Sequence, residues 1–477
     1  MNLDDFRSHA HELVDWMADY LEHVRDYPVK AQVQPKEVAR QLPGSAPDDG
    51  EPFGRIFSDF QSIILPGMTH WQHPSFHAYF PANSSPPSIL AEMLMSTLGA
   101  QCMSWATSPA ATELEETVMR WLQQMIGLPD EFVGVIQDTA STATLCSLLT
   151  AREKVSGFGV NRRGFESGDK YAIYCSTETH SSIEKAVKIA GFGAESLRKL
   201  AVDGRYAMRP DLLTRAVELD TAEGIRPLAV VATVGTTGST AIDPVRAIGE
   251  ICRSHNLWLH VDAAYAGTAL LLEECRWMAD GIELADSVVF NPHKWMFTNF
   301  DCSAYFVKDP AALVQTFEIL PEYLKTSEGE RVNNYRDWGI QLGRRFRALK
   351  LWFVIRTYGR HGLQAMVRRH ISMAQSVARW IEDDPEFELL APAPLNVLCF
   401  RYHPAGIDDP RRLDALNEHL LESINASGQA YLTHTRLSGA YAVRLVIAQT
   451  NVTEEDVRRT WQVVREAAAA AGGMQPR

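Results

Sequence analysis

Between residues 171 and 290 the chain alternates short apolar runs with amphipathic stretches, and this alternation restricts the fold more than any other feature. The apolar runs cover 171–175, 228–233, 258–261 and 287–290. Helical patterns lie between them, at 182–190, 209–219 and 244–255. Runs such as LAVVATV show no polar alternation, so both faces of such a strand must be covered. Strand and helix in turn at this spacing predict a mostly parallel sheet with helices on both faces.

The flanks read differently. Phe6, Leu13, Trp16, Met17, Tyr20, Leu21 and Val24 fall on one face of a helix, which needs a surface to lie on. From 32 to 54 the composition is that of a loop, and the five prolines between 66 and 87 forbid a long helix there. A helix is predicted over 113–126, opened by Ser108-Pro109. A long helical stretch, ALKLWFVIRTY, leads after Arg344 into shorter strands at 395–402 and 441–447. These divide the chain into a helical segment (1–85), a large α/β domain (86–350) and a small α+β domain (351–477).

At 46% apolar and 22% charged residues the chain is expected to be globular rather than disordered. Its net charge of −13 argues against nucleic acid as a partner, because phosphate backbones need a basic surface. No window reaches the length of a membrane span, so no membrane partner is expected. The opening residues MNLDDFRSHAHELVDW lack the basic and apolar regions of an export signal, which points to the cytoplasm. Seven widely spaced cysteines, Cys102 to Cys399, form neither a disulfide framework nor a zinc motif. His70, His73 and His77 have a spacing that suggests metal ligands, but Pro74 interrupts the helix such a site would use, and no metal is expected.

Four places carry chemistry. Lys294, in Asn291-Pro292-His293-Lys294-Trp295, follows a strand at the end where open α/β sheets bind ligands. Desolvated there, it could act as a Schiff-base nucleophile; its plain alternative is a surface lysine. Asp262, in HVDAAY, ends another strand beside the small Ala263 and Ala264. It could hold a pyridinium N–H, or simply cap a turn. The hydroxyl-rich turn from Gln137 to Thr144 leads into a helix and could cradle a phosphate or serve only as an N-cap. His180 precedes a further helix and could stack on a ring or bind a carboxylate. In chain order these are a phosphate cradle, a stacking His, a pyridinium Asp and a Schiff-base Lys, which together describe pyridoxal 5'-phosphate.

The stretches PGMTHWQHPSFHAYFPA, SWATSPAATELE, GVIQDTASTATL, HVDAAYAG, FNPHKW, FDCSAYFV and LGRRFRALKLWF carry a resemblance that runs nearly end to end. The chain is similar to the aromatic-L-amino-acid decarboxylases, the group II pyridoxal-phosphate decarboxylases, and reads as a bacterial-type member. The resemblance implies fold type I, with a mostly parallel seven-stranded sheet. It also implies a homodimer with shared active sites and a swapped N-terminal segment. Lys294 would join the cofactor covalently, Asp262 would pair the pyridine nitrogen, Ala264 would pack on the ring and Thr233 would lie beneath it. His180 would stack above the ring and meet the substrate carboxylate. Thr139, Ala140, Ser141, Asn291 and His293 would surround the phosphate. Trp71, Tyr79, Phe80, Pro81 and Ala82 would line the substrate pocket, with Met103 from the second subunit and with Gly343 leaving room for a large ring. Tyr323, in LPEYLK, would protonate the carbon left by CO2.

The same family contains aldehyde synthases, which tend to replace the loop Tyr by Phe or the stacking His by Asn. Tyr323 and His180 are both kept here, which favours simple decarboxylation of tryptophan, DOPA, 5-hydroxytryptophan, phenylalanine or tyrosine. Ala82 stands where some animal members have Thr, and His77 where Phe is common. A non-enzymatic α/β interaction protein is the remote alternative.

Overall fold

The computed structural model describes residues 1–166, 168–319 and 331–473. Two compact units emerge. One comprises residues 82–372 with 391–395; the other comprises 1–81, 373–390 and 396–477. The first and last parts of the sequence-based division therefore share most of one unit.

The larger unit is built on a seven-stranded sheet. Its strands are β1 (Val133–Gln137), β2 (Tyr171–Ser176), β3 (Leu197–Leu200), β4 (Arg226–Thr233), β5 (Trp258–Asp262), β6 (Ser287–Phe290) and β7 (Ser303–Val307). The order is β1-β7-β6-β5-β4-β2-β3. β3, β2, β4, β5 and β6 run parallel, while β7 is antiparallel to both β6 and β1. β2, β5, β6 and β7 are buried along their whole length, which explains their continuous apolar sequences. β3 (LRKL) lies at the sheet edge and keeps polar residues. Ala143, Leu148, Ile173, Leu228, Val231 and Val289 contribute to the core between the sheet and the helix Ala140–Val155.

The expected elements are present with small shifts. The helix at 113–126 starts earlier, at Pro109, with Ser108 in the N-cap position. Helices Ser182–Ile189, Pro210–Ala222 and Val245–His255 fill the gaps between strands. Within 32–54, read as loop, a short helix forms at Glu37–Gln41. β1 abuts the helix Pro109–Ile126 closely: a Cβ on Gly134 would lie 2.4 Å from the Met119 methyl and 2.8 Å from Phe306.

A buried ion pair ties the β1 end of this sheet to the chain around Gly343. Arg344 donates through both terminal nitrogens to Glu115 (2.7 and 3.2 Å) and also to the Ile136 carbonyl (2.7 Å). Glu115 in turn accepts from the Ile136 amide (2.8 Å), and Gln101 accepts from the Arg344 amide (2.6 Å).

The smaller unit carries a four-stranded antiparallel sheet in the order β10-β11-β9-β8, from β8 (Phe387–Leu389), β9 (Val397–Tyr402), β10 (Thr433–Leu437) and β11 (Ala440–Val446). Helices Pro410–Ala426 and Glu454–Gly473 belong with it. The N-terminal helix Leu3–Glu22 opens with a reciprocal Asn2–Asp5 cap, and none of its residues is buried. Leu3, Phe6 and Val14 are exposed on it.

The three histidines at 70, 73 and 77 are engaged separately. His70 pairs with the Tyr20 hydroxyl (2.8 Å), and His73 Nδ1 accepts the Ser75 amide (2.9 Å). His77 is fully buried, donates from Nδ1 to the Val446 carbonyl (2.8 Å) and meets the Thr460 hydroxyl at Nε2 (3.1 Å). Position 77 therefore serves packing within its unit. Burial holds both His73 and His77 neutral, pushing them down to about 4. An unfolded histidine titrates near ~6.5, so between these values the unfolded chain binds more protons. The stability due to neutral burial is complete above the unfolded value and is lost as pH falls through it toward about 4. Denaturant midpoints measured from about pH 7 down to about pH 5 should fall, and His77→Gln should make that slope shallower. An unchanged slope would contradict the buried neutral state of His77.

Candidate active site

The site forms where the C-terminal ends of the parallel strands come level. Thr233, the last residue of β4, is paired in register with Asp262, the last residue of β5. Asp262 is in turn opposite Val289 of β6. The next turns are locked together, because the Ala263 amide donates to the Val289 carbonyl (2.9 Å) and the Asn291 amide to the Ala264 carbonyl (2.9 Å). Lys294 follows in the single turn Pro292–Trp295, its amide bonded to the Asn291 carbonyl (3.0 Å).

Each group is oriented by a neighbour. Asp262 is buried, and one of its oxygens accepts the Ala264 amide (3.0 Å). Asn291 accepts the Ser303 hydroxyl (2.6 Å). Trp295, beside Lys294, is immobilised by stacking on Tyr265 (5.1 Å) and by its indole N–H donating to His370 (3.0 Å). His293 Nδ1 accepts the Cys302 amide (2.9 Å), which leaves Nε2 as the protonated nitrogen of a neutral ring. Burial, with the Lys294 charge next, holds His293 down to about 3.

His180 lies between β2 and the helix Ser182–Ile189. Its Nδ1 accepts the Ser182 amide (3.1 Å) and the Ser182 hydroxyl (2.8 Å), so Nε2 again carries the proton. Burial lowers its basicity; Asp262 opposes that shift while Lys294 adds to it. His180, Asp262 and Lys294 therefore share one electrostatic neighbourhood.

Thr139 caps the helix Ala140–Val155, its hydroxyl accepting the Thr142 amide (3.4 Å). The Ala140 and Ser141 amides have no acceptor among the described residues, and no acidic side chain occupies that first turn. Two amides at a helix N-terminus suit an anion. A buried network ties this helix to β5 and β6. Thr144 meets His260 Nε2 (3.1 Å), Ser287 meets His260 Nδ1 (2.9 Å), and Ser147 meets Ser287 (2.8 Å) and the Trp258 indole (2.8 Å). The network holds the helix N-terminus at a set distance from Asp262. It was missed from the sequence, where the one signal was a histidine inside an apolar strand.

The residues fit pyridoxal phosphate on an observation independent of resemblance. The Thr233 hydroxyl is buried with no hydrogen-bond partner among the described residues. It lies beside Asp262 in the sheet, where a ring oxygen would satisfy it. Thr139, Ala140, Ser141, Thr233, Asp262, Ala264, Asn291, His293 and Lys294 all belong to the larger unit, as do His180, Ala82, Met103 and Gly343. Trp71, Tyr79, Phe80 and Pro81 belong to the smaller one. There Trp71 stacks on Tyr79 (6.0 Å), Tyr79 shares a hydrogen bond with Tyr431 (3.2 Å), and Arg444 lies over Phe80 (4.6 Å). Gly343 is exposed, and a Cβ there would come within 3.3 Å of Gln101. Tyr323 lies outside the described residues.

An orphaned buried hydroxyl costs about 1–3 kcal/mol, so Thr233→Val should leave the cofactor-free protein as stable or more so. The same change should weaken pyridoxal phosphate binding severalfold. Paired melting curves and fluorescence titrations check both; unchanged cofactor affinity would contradict this placement of Thr233.

The profile of the pyridoxal-dependent decarboxylase conserved domain matches residues 35–403. The phenylacetaldehyde synthase of Arabidopsis thaliana is 43% identical, over 98% of this chain and 97% of its own length. Tryptophan decarboxylase TDC2 of Camptotheca acuminata is 41% identical, over 98% and 95%. The crystal structure of Oryza sativa TDC with PLP and tryptamine superposes with a TM-score of 0.95 at 35% identity, covering 98% of this chain and 99% of that one. These are plant enzymes, so the bacterial-type character expected from the sequence is not borne out. With fold, site and profile in agreement, the chain belongs to the pyridoxal-dependent decarboxylases.

Proposed function

We propose that the protein decarboxylates an aromatic L-amino acid to its arylethylamine and CO2, as a homodimer with shared active sites. The observation that carries this is the in-register pair Thr233–Asp262 at the strand ends, with Lys294 in the turn after the neighbouring strand β6 and two helix amides left without an acceptor among the described residues. Relatives on both sides of the family's branch support the aromatic substrate class.

When bound, pyridoxal phosphate supplies the electron sink for loss of CO2. The chain's own residues do the rest. Lys294 would hold the cofactor through its amine, and Asp262 would keep the pyridine nitrogen protonated. The Ala140 and Ser141 amides, with Asn291 and His293, hold the phosphate end. His180 covers the ring and offers its Nε2 proton to the substrate carboxylate. Tyr323 delivers a proton to the substrate α-carbon. Trp71, Tyr79, Phe80, Pro81, Ala82, Gly343 and the partner subunit's Met103 enclose the side chain. The dimer accounts for the N-terminal helix, whose apolar positions Leu3, Phe6 and Val14 stay exposed in the single chain.

Simple decarboxylation is preferred over aldehyde formation because His180 and Tyr323 are both present. Purified protein should be yellow and should release amine and CO2 in equal amounts from at least one of tryptophan, tyrosine, phenylalanine, DOPA and 5-hydroxytryptophan. Lys294→Ala should lose both the colour and the activity. Hydrogen peroxide formed in step with CO2 would overturn the proposal in favour of an aldehyde synthase.

A further inference from the structure

The turn that follows Lys294 is held by more charge than its size requires. It spans 297–302 and returns the chain from the single helical turn to β7. Phe297 has a left-handed backbone (φ 55°), and its carbonyl accepts the Ser85 hydroxyl (2.6 Å). The Asn299 amide donates to Ser88 (2.8 Å), and its side chain donates to Glu92 (3.2 Å). Ser85 precedes the helix Pro86–Leu98, which carries Ser88 and Glu92. From the other side, Arg347 grips both oxygens of Asp301 (3.0 and 3.1 Å). Glu92 also accepts Lys350 Nζ (3.1 Å) and pairs with Arg345.

Lys350 is fully buried, and burial pulls its ammonium down to about 8. Such a group is a poor source of stability, because desolvating a charge is costly and an apolar residue would do as well. What it does supply is position. Lys350 and Arg347 fix Glu92 and Asp301, and those two carboxylates fix Asn299 and Asp301 of the turn. The product of that clamp is the Cys302 amide, presented to His293 Nδ1 at 2.9 Å, with the Phe300 ring 4.7 Å from the imidazole. The His293 amide returns a hydrogen bond to the Cys302 carbonyl (3.2 Å).

We propose that the Glu92–Lys350 and Asp301–Arg347 pairs are positioning residues that fix the tautomer and ring direction of His293, so that its Nε2–H is aimed at the cofactor phosphate. This rests on the reading that the phosphate lies at His293. None of the four residues needs to touch the cofactor, and none lies at the Asp262 end of the site.

The test compares holoenzyme variants Glu92→Gln and Asp301→Asn, which open different joints of the clamp, with His293→Gln as the reference. Pyridoxal phosphate affinity is measured by fluorescence titration, the bound phosphate by phosphorus NMR, and the Lys294 end by visible absorbance at saturation. Both clamp variants should weaken cofactor binding by about tenfold, the scale of one charge-assisted hydrogen bond. Both should move the phosphorus resonance in the same direction as His293→Gln, with the visible band unchanged. Because the two changes are independent, failure of one to fold leaves the other informative. A resonance moved by His293→Gln but not by the clamp variants overturns the clamp. A lower melting temperature with unchanged affinity and resonance overturns it equally, as a merely structural role. A resonance that His293→Gln does not move overturns the phosphate placement, and the clamp proposal falls with it.

Discussion

The parallel register of β4, β5 and β6 is the constraint on which the rest of the structure depends. It sets Thr233 beside Asp262 and Asp262 beside Val289, so that the chain leaves three neighbouring strands at one level. A one-residue slip would turn the Asp262 side chain to the other face of the sheet. The register is enforced by buried apolar strands on each side and by the Thr144–His260–Ser287–Ser147 hydrogen bonds. Those bonds also hold the N-terminal part of the helix Ala140–Val155 against the same strands. On the proposed reading, the sheet would thereby set the distance between the groups that hold the two ends of a flat cofactor.

Electrostatics at the site are local. The chain carries a net charge of −13, yet the proposed site must hold a phosphate and a substrate carboxylate. On the proposed reading, anion binding would come from two helix amides without an acceptor among the described residues, two neutral histidines with their Nε2 protons available, and Lys294. Both histidines are kept neutral chiefly by burial, with Lys294 adding to the effect. A neutral imidazole donates one directed hydrogen bond without the desolvation cost of a buried cation. Direction then matters more than charge, which explains the effort spent on fixing the His293 ring.

What was legible in the sequence follows from burial. The interior strands announced themselves because both faces are covered and their residues are uniformly apolar, as in LAVVATV. β3 was not legible, being an edge strand of mixed polarity, and β1 was short and opened on an exposed valine. β7, which runs antiparallel to both of its neighbours in the seven-stranded sheet, had no periodic signal of its direction, since direction is set by pairing with β6 and β1. Lys294, Asp262 and His180 were legible because strand ends and helix starts can be read locally. Glu92 and Lys350 were not, since their meaning arises only when residues 258 positions apart meet; nor was Asp301, whose partner Arg347 lies 46 positions further on. The single local hint was a lysine in the apolar run ALKLWFVI, which a surface reading would place on the wet face of a helix.

The most direct test of the account is a crystal structure of the protein grown with pyridoxal phosphate. The account predicts continuous density from Lys294 Nζ to the cofactor, the pyridine nitrogen within hydrogen-bond distance of Asp262, and the phosphate against the Ala140 and Ser141 amides and His293 Nε2. A cofactor bound through another lysine, or one whose phosphate lies away from that helix end, would contradict it.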